Sequence, residues 1–199
     1  YSDRIKDCRV DIGAYEYNGA VDITPYVATE DERTVASFYV TQNGAGTRSA
    51  NSPENAACWT KLQKVLDAAG RYMKTNTAGN RVIVRLAGDV PTAEGKYSGF
   101  VYRPRRAYKE TVVRQEINTR DFTIIVPHGV EVWGGYNDDF SERNILKNRT
   151  TFSGVYQADD QDVNVYNVIT FTNNTYDKDG ILETTDTSLD GTSGKGALS

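Results

Sequence analysis

Histidine and methionine are almost absent from this chain: each occurs once, as His128 and Met73, in 199 residues. A histidine-based metal site or a catalytic triad would therefore have to be built on His128 alone. Cysteine is scarce as well. Cys8 and Cys58 are the only two, and no C-x-x-C pair exists, which excludes a zinc knuckle or a thioredoxin-type site. The pair permits one disulfide closing a long loop, or two buried free thiols, and the sequence does not choose between them. No apolar run approaches the ~20 residues of a membrane span. Basic charge is outnumbered, 23 Lys and Arg against 27 Asp and Glu, for a net charge of −4. That balance argues against general nucleic-acid binding.

What is present is tyrosine, glycine and small polar residues. Thirteen Tyr and 17 Gly, with many Thr, Asn and Asp, favour strands joined by tight turns. The fold class expected is mainly β. At 38% hydrophobic and 25% charged, the chain is globular rather than disordered, and its length is enough for one domain or two very small ones.

Hydrophobic periodicity places the elements. Residues 36–41 (ASFYVT) read as a strand closed by the turn-rich QNGAG. Leu62, Val65, Leu66, Ala69 and Met73 then lie on one helical face. Ser52-Pro53 is a candidate start for that helix and Gly70 or Asn76 a candidate stop. Beyond it the period changes to two. Val82, Val84 and Leu86 group together, as do Phe122, Ile124 and Val126, and then Val130 and Val132. Residues 150–156 and 162–172 continue the series with no second helix, which points to stacked coils or a sandwich.

The charges are unevenly spread. Residues 92–120 carry Arg103, Arg105, Arg106, Lys109, Arg114 and Arg120 against Glu94, Glu110 and Glu116, a basic insertion in an acidic protein. From residue 151 onward acidic residues dominate. Residues 21–35, with Pro25 and the run Glu30, Asp31, Glu32, read as a linker or an extended crossing segment.

Four pieces, in order, resemble the start of bacterial surface proteins built on right-handed parallel β-helix repeats, a group that includes polymorphic outer-membrane adhesins and shares the pectin-lyase-like fold. They are FYVTQNGAGT (38–47), CWTKLQKVLDAA (58–69), VIVRLAGDVPT (82–92) and GVEVWGGYNDDFSERNILKNRTTFSG (129–154). The resemblance implies the start of a right-handed parallel β-helix with one capping α-helix over residues 60–73, and an extracellular or cell-surface location. VDIGAYEY (10–17) resembles the motif that ends such a β-helix, yet here it comes first. The organisation expected is therefore a terminal strand segment of a preceding unit (1–20), a linker (21–35), and a capped β-helix start (36–199) with its basic insertion at 92–120. Residues 1–20 are expected to add to a sheet edge, and a monomer is favoured over a strand-swapped oligomer.

The function expected from the resemblance is a non-catalytic structural or adhesive module of the cell surface. The alternative is a polysaccharide lyase or glycoside hydrolase of the same fold. For the first, an acidic polysaccharide or host glycan is the partner to look for. Trp133, with Tyr136 and Phe140, could stack on sugar rings, and Arg103, Arg105, Arg106 and Arg114 could fork onto uronate carboxylates. The plainer readings are a Trp that covers a coil edge and a solvated hairpin. Calcium is the one cofactor the residues suggest. Asp177, Asp179, Glu183 and Asp186 fall roughly in EF-hand register within 175–186, although a hairpin turned by Asp179-Gly180 explains the same stretch.

Overall fold

The computed structural model describes residues 21–30, 33–76, 81–107, 119–158 and 161–172, with the short strand pairs 5–6, 9–10, 175–176 and 182–183. Among them the chain is mainly β, with one α-helix. Strand β1 (Tyr26–Glu30) runs antiparallel to β2 (Arg33–Thr41). The helix α1 (Leu62–Thr75) follows, then β3 (Arg81–Ala87), β4 (Phe122–Pro127) and β5 (Val130–Tyr136). A hairpin of β6 (Val155–Ala158) and β7 (Gln161–Asn164) precedes β8 (Ile169–Thr172).

The strands that bear on the core are parallel. β2, β3 and β5 lie side by side in chain order. β4 pairs in parallel with β8, and Tyr102 makes an isolated parallel bridge with Phe152. In chain order, β3, Tyr102 and β4 are thus followed by β5, Phe152 and β8, and each of the first three pairs in parallel with its counterpart among the second three. Like residues fall in register: Ala36 beside Val82 beside Val130, and Phe38 beside Val84 beside Val132. Both sheets are mixed at their edges, through β1 and through Arg106–Ala107, which pairs antiparallel with the start of β4.

Period-two alternation explains the core. Ala36, Phe38, Val40, Val82, Val84, Leu86, Ile124 and Val126 point inward with Tyr102, and all are buried. α1 packs against β4 and β3 and contributes Leu62, Val65, Leu66 and Ala69 to the same cluster. Each Leu or Val fully buried in this way contributes about 1.5–3 kcal/mol. The Tyr102 hydroxyl donates to Ala87 O at 2.7 Å and lies 3.3 Å from Val40 O. Burial drives its pKa far above the usual phenol value, so it stays a neutral donor to the backbone at the ends of β2 and β3.

Two local details close the ends of strands. Ile125 of β4 has its N–H and C=O on the side away from β8. The Gln63 side chain meets both, accepting from Ile125 N at 2.9 Å and donating to Ile125 O at 3.0 Å. A side-chain amide here takes the place of a neighbouring strand and blocks an open edge. Gly88, at the exit of β3, lies so close to Asn148 that a Cβ would sit 2.6 Å from its backbone, which admits only glycine.

Several elements differ from the sequence-based expectation. The stretch marked as a linker supplies strand β1, and β2 begins at Arg33. Pro53 opens a separate 3-10 turn, Pro53–Asn55, rather than α1. Gly70 lies buried inside the helix, and Asn76 follows its last turn. Within residues 1–20, Arg9–Val10 pairs antiparallel with Ile5–Lys6; residues 11–20 lie outside the described residues.

Candidate functional site

The face of the β2–β3–β5 sheet turned away from α1 carries the charged and aromatic residues of these strands, although Val35, Ser37, Tyr39 and Ile83 are buried on it. On β3 the outward positions are Arg81, Ile83 and Arg85; on β5 they are Glu131 and Trp133. Register sets Tyr39, Arg85 and Trp133 side by side across three strands. A bulge near the end of β3 brings Tyr136 opposite Ala87. The loop after β5 then turns back, and Arg143 bridges to Tyr136.

The result is an alternation of guanidinium groups and aromatic rings. Arg81 lies 5.2 Å and Arg143 5.1 Å from the Trp133 ring centre. Arg143 is also 5.8 Å from the Tyr136 ring, and Arg85 lies 5.7 Å from Tyr136 and 5.9 Å from Tyr39. Phe140 meets Tyr39 edge-on at 5.0 Å and Tyr136 at 5.7 Å. Phe140 holds a left-handed backbone, φ 60°, a conformation that costs a non-glycine residue of order 1–3 kcal/mol.

The three arginines differ in commitment. Arg81 forks onto Glu131 through Nε at 2.9 Å and a terminal nitrogen at 2.8 Å. The Trp133 indole N–H donates to the same carboxylate at 2.9 Å. The Arg81 hydrogen bonds, aided by the Trp133 bond and outweighing partial burial, hold the Glu131 carboxyl below its usual value. Arg85 is less engaged. Its nearest carboxylate is Glu30 at 3.8 Å, and its Nε is buried without a hydrogen-bond partner among the described residues. Arg143 donates through Nε to Gly134 O at 3.0 Å and is otherwise exposed.

Among the described residues, those expected to hold a glycan fall in more than one region. Trp133 and Tyr136 meet on this face, but guanidinium groups lie against the Trp133 ring, so it is not a bare stacking platform. Arg103 donates to Val155 O at 3.1 Å, and Arg105 lies 5.5 Å from the Trp59 ring. Both belong to a separate region around Trp59, Phe100 and Tyr102. Arg106 is in the short strand beside β4, and Arg114 lies outside the described residues. Tyr39, Arg81, Arg85 and Arg143 were missed. The signal for the first three was the complement of the apolar alternation, the polar and aromatic residues at the odd positions of β2 and β3.

The remaining expectations are placed as follows. Cys58 is disulfide-bonded and buried, and the Thr60 hydroxyl donates to its sulfur at 3.1 Å; Cys8 lies outside the described residues. Asp177, Asp179 and Asp186 also lie outside them, while Glu183 sits in a two-residue strand opposite Thr175. Among the described residues no group of three or more His, Cys, Asp or Glu is arranged to hold a metal ion, and no helix is long and apolar enough to cross a membrane. Asn148, the first residue of an N-x-T sequon, is wholly buried.

No family model matches the chain, and no curated protein or solved structure matches it.

Proposed function

We propose that the chain is the capped start of a right-handed parallel β-helix that serves as a non-catalytic structural or adhesive module at a cell surface. The observation that carries this reading is the repeated order of paired strands. Two parallel ladders (β2–β3–β5 and β4–β8) and the single parallel bridge Tyr102–Phe152 recur in the same chain order, while α1 and the Gln63 amide cover the edge of β4 away from β8. A stack of coils needs such a cover, because an open strand edge and an apolar interior otherwise recruit other chains. A rigid stack also presents a long regular flank, a surface suited to holding a polymer.

The test is retention without turnover. The whole chain, immobilised and challenged with a panel of cell-surface and plant-wall polysaccharides, is expected to retain at least one acidic polymer and to release no new unsaturated or reducing ends. Steady release of such ends would overturn the non-catalytic reading. Failure to retain any polymer, with no labelling of intact source cells by antibodies against the chain, would overturn the surface-module reading.

A further inference from the structure

We propose that Arg85 and Arg143, on the outward face of β3 and the loop after β5, bind the carboxylates of an acidic polysaccharide. The proposal rests on the adhesive reading above and names its site and ligand class.

The argument starts from the uneven use of three arginines on one face. Arg81 is already neutralised by a bidentate bond to Glu131. Arg85 has only a long ion pair, to Glu30 at 3.8 Å, and Arg143 has no carboxylate partner among the described residues, yet both are held in place. Arg85 is ranged against Tyr39 and Tyr136, and Arg143 against Trp133 and Tyr136. A guanidinium group held against aromatic rings keeps N–H groups to donate; Arg143 is exposed, and Arg85 keeps 20% of its side chain exposed although its Nε is buried. An arginine fixed in this way loses less side-chain freedom when an anion arrives, and its planar edge matches a carboxylate with two parallel hydrogen bonds.

Two such groups around one ring suit a ligand with more than one carboxylate. The two groups lie 5.7 and 5.8 Å from the centre of the same Tyr136 ring. A chain with a carboxylate on successive sugars can therefore meet both together, and two weak contacts then act as one. The strained Phe140 packs on the same two tyrosines, so the loop that delivers Arg143 is held in an unfavourable backbone conformation at this face. Two of the three acids of that loop are engaged elsewhere: Asp139 accepts from Ser141, and Glu142 pairs with Lys147 at 3.2 Å; the third, Asp138, lies toward Asp139 and Asp89, and burial and these charges hold its carboxyl above the usual value. In a protein of net charge −4, a polyanion needs such a local site, and its capture should weaken as salt screens the field.

The experiment uses the whole chain against polygalacturonate, dextran sulfate and neutral dextran. Polygalacturonate should bind in a salt-sensitive way and neutral dextran should not. Arg143→Ala should weaken binding about tenfold, the loss of roughly one charge-assisted contact. Arg85→Lys keeps the charge but loses the planar fork, and should also weaken binding. Both variants should unfold as cooperatively as the parent, and Arg103→Ala should bind as the parent does. If polygalacturonate binds and only Arg103→Ala weakens it, this site is wrong and the adhesive reading stands. Tighter binding of dextran sulfate than of polygalacturonate would overturn the carboxylate assignment. Failure of the parent to bind any polymer would remove the site together with the glycan reading.

Discussion

The two ends of the same apolar ladders are finished differently. Near α1, Phe38, Val40, Val65, Leu66, Val82 and Val84 are wholly buried. On the far side, β8 continues the ladder of β4 in register, with Ile169 beside Ile124 and Phe171 beside Val126. Ile124 and Val126 are buried, but Ile169 is 37% exposed and Phe171 79%. A hollow on the free side of β5 is lined by the half-buried Val132 and Phe152 and by Asn148, whose Oδ1 is buried without a partner among the described residues. The lesson is that inward position alone does not bury a side chain. A ladder residue contributes its hydrophobic free energy only when the next layer, helix or coil, covers it.

The sharpest way to break this comparison is to truncate both ends alike. Leu66→Ala should cost about 2–5 kcal/mol, because it opens a cavity in a closed core. Phe171→Ala removes a larger side chain and should change stability by less than about 0.5 kcal/mol, while reducing self-association through the exposed ring. Urea unfolding of the two variants checks both values. Equal losses would mean that the exposed end is covered in solution.

The covered end also holds the disulfide-bonded Cys58, whose segment Ala57–Cys58 pairs with the end of β2. The chain has one other cysteine, Cys8, so the bridge would close a loop of about 50 residues, stabilising by roughly 4 kcal/mol on the chain-entropy account. Reduction should lower the melting temperature, and peptide mapping without reductant should recover residues 8 and 58 in one linked pair. Two separate peptides would sink this prediction.

Much of the covered end was legible from sequence, and much of the outer face was not. Leu62, Val65, Leu66 and Ala69 announce an amphipathic helix by spacing alone, and Val82, Val84 and Leu86 announce the inward side of a strand. Both signals are local. The aromatic and arginine face is not local: Tyr39, Arg85 and Trp133 are distant in the chain and meet only once three strands have a register. That register depends on the lengths of the intervening segments, which carry no periodicity. The same reason hid Gln63, since a glutamine on a helix flank gives no sign of which backbone amide it will meet. Aromatic and basic residues were conspicuous, but grouping Trp133 with Arg103 and Arg105 relied on composition rather than on pairing.

A third contrast sits between the ends, where Asp89 ties the loop after β3. Its carboxylate accepts from the Ser98 hydroxyl at 2.9 Å and from the backbone N–H groups of Ser98, Gly99 and Phe100 at 3.1, 2.7 and 3.2 Å. Burial opposes the charge, but these hydrogen bonds outweigh it and hold the carboxyl below its usual value. A lowered folded pKa stabilises the protein above the unfolded value of about 3.9, and that contribution is lost as the pH falls through the folded value. Asp89→Ala should cost about 1.5–3 kcal/mol at neutral pH. It should also flatten the fall of melting temperature below about pH 4. An unchanged acid limb would show that Asp89 is not the group responsible.

The smallest loss expected at the covered end is at Gln63, and it tests most directly whether a side chain can finish a sheet. Gln63→Met keeps the length and helix propensity but removes both hydrogen bonds to Ile125, leaving a buried N–H and C=O without their partner. The cost expected is about 1–2 kcal/mol. Stability alone would not distinguish this from a packing loss, so the decisive reading is amide exchange. In the parent the Ile125 N–H should exchange slowly, like the amides of β4 that bond toward β8. In Gln63→Met it should exchange much faster while its neighbours Ile124 and Val126 stay protected, because Ile124 N–H donates to Val168 O at 2.9 Å on the other side of the strand. Protection lost across the whole of β4 would mean that α1 had moved away. An Ile125 amide as slow as in the parent would mean that the edge is closed by something other than the glutamine.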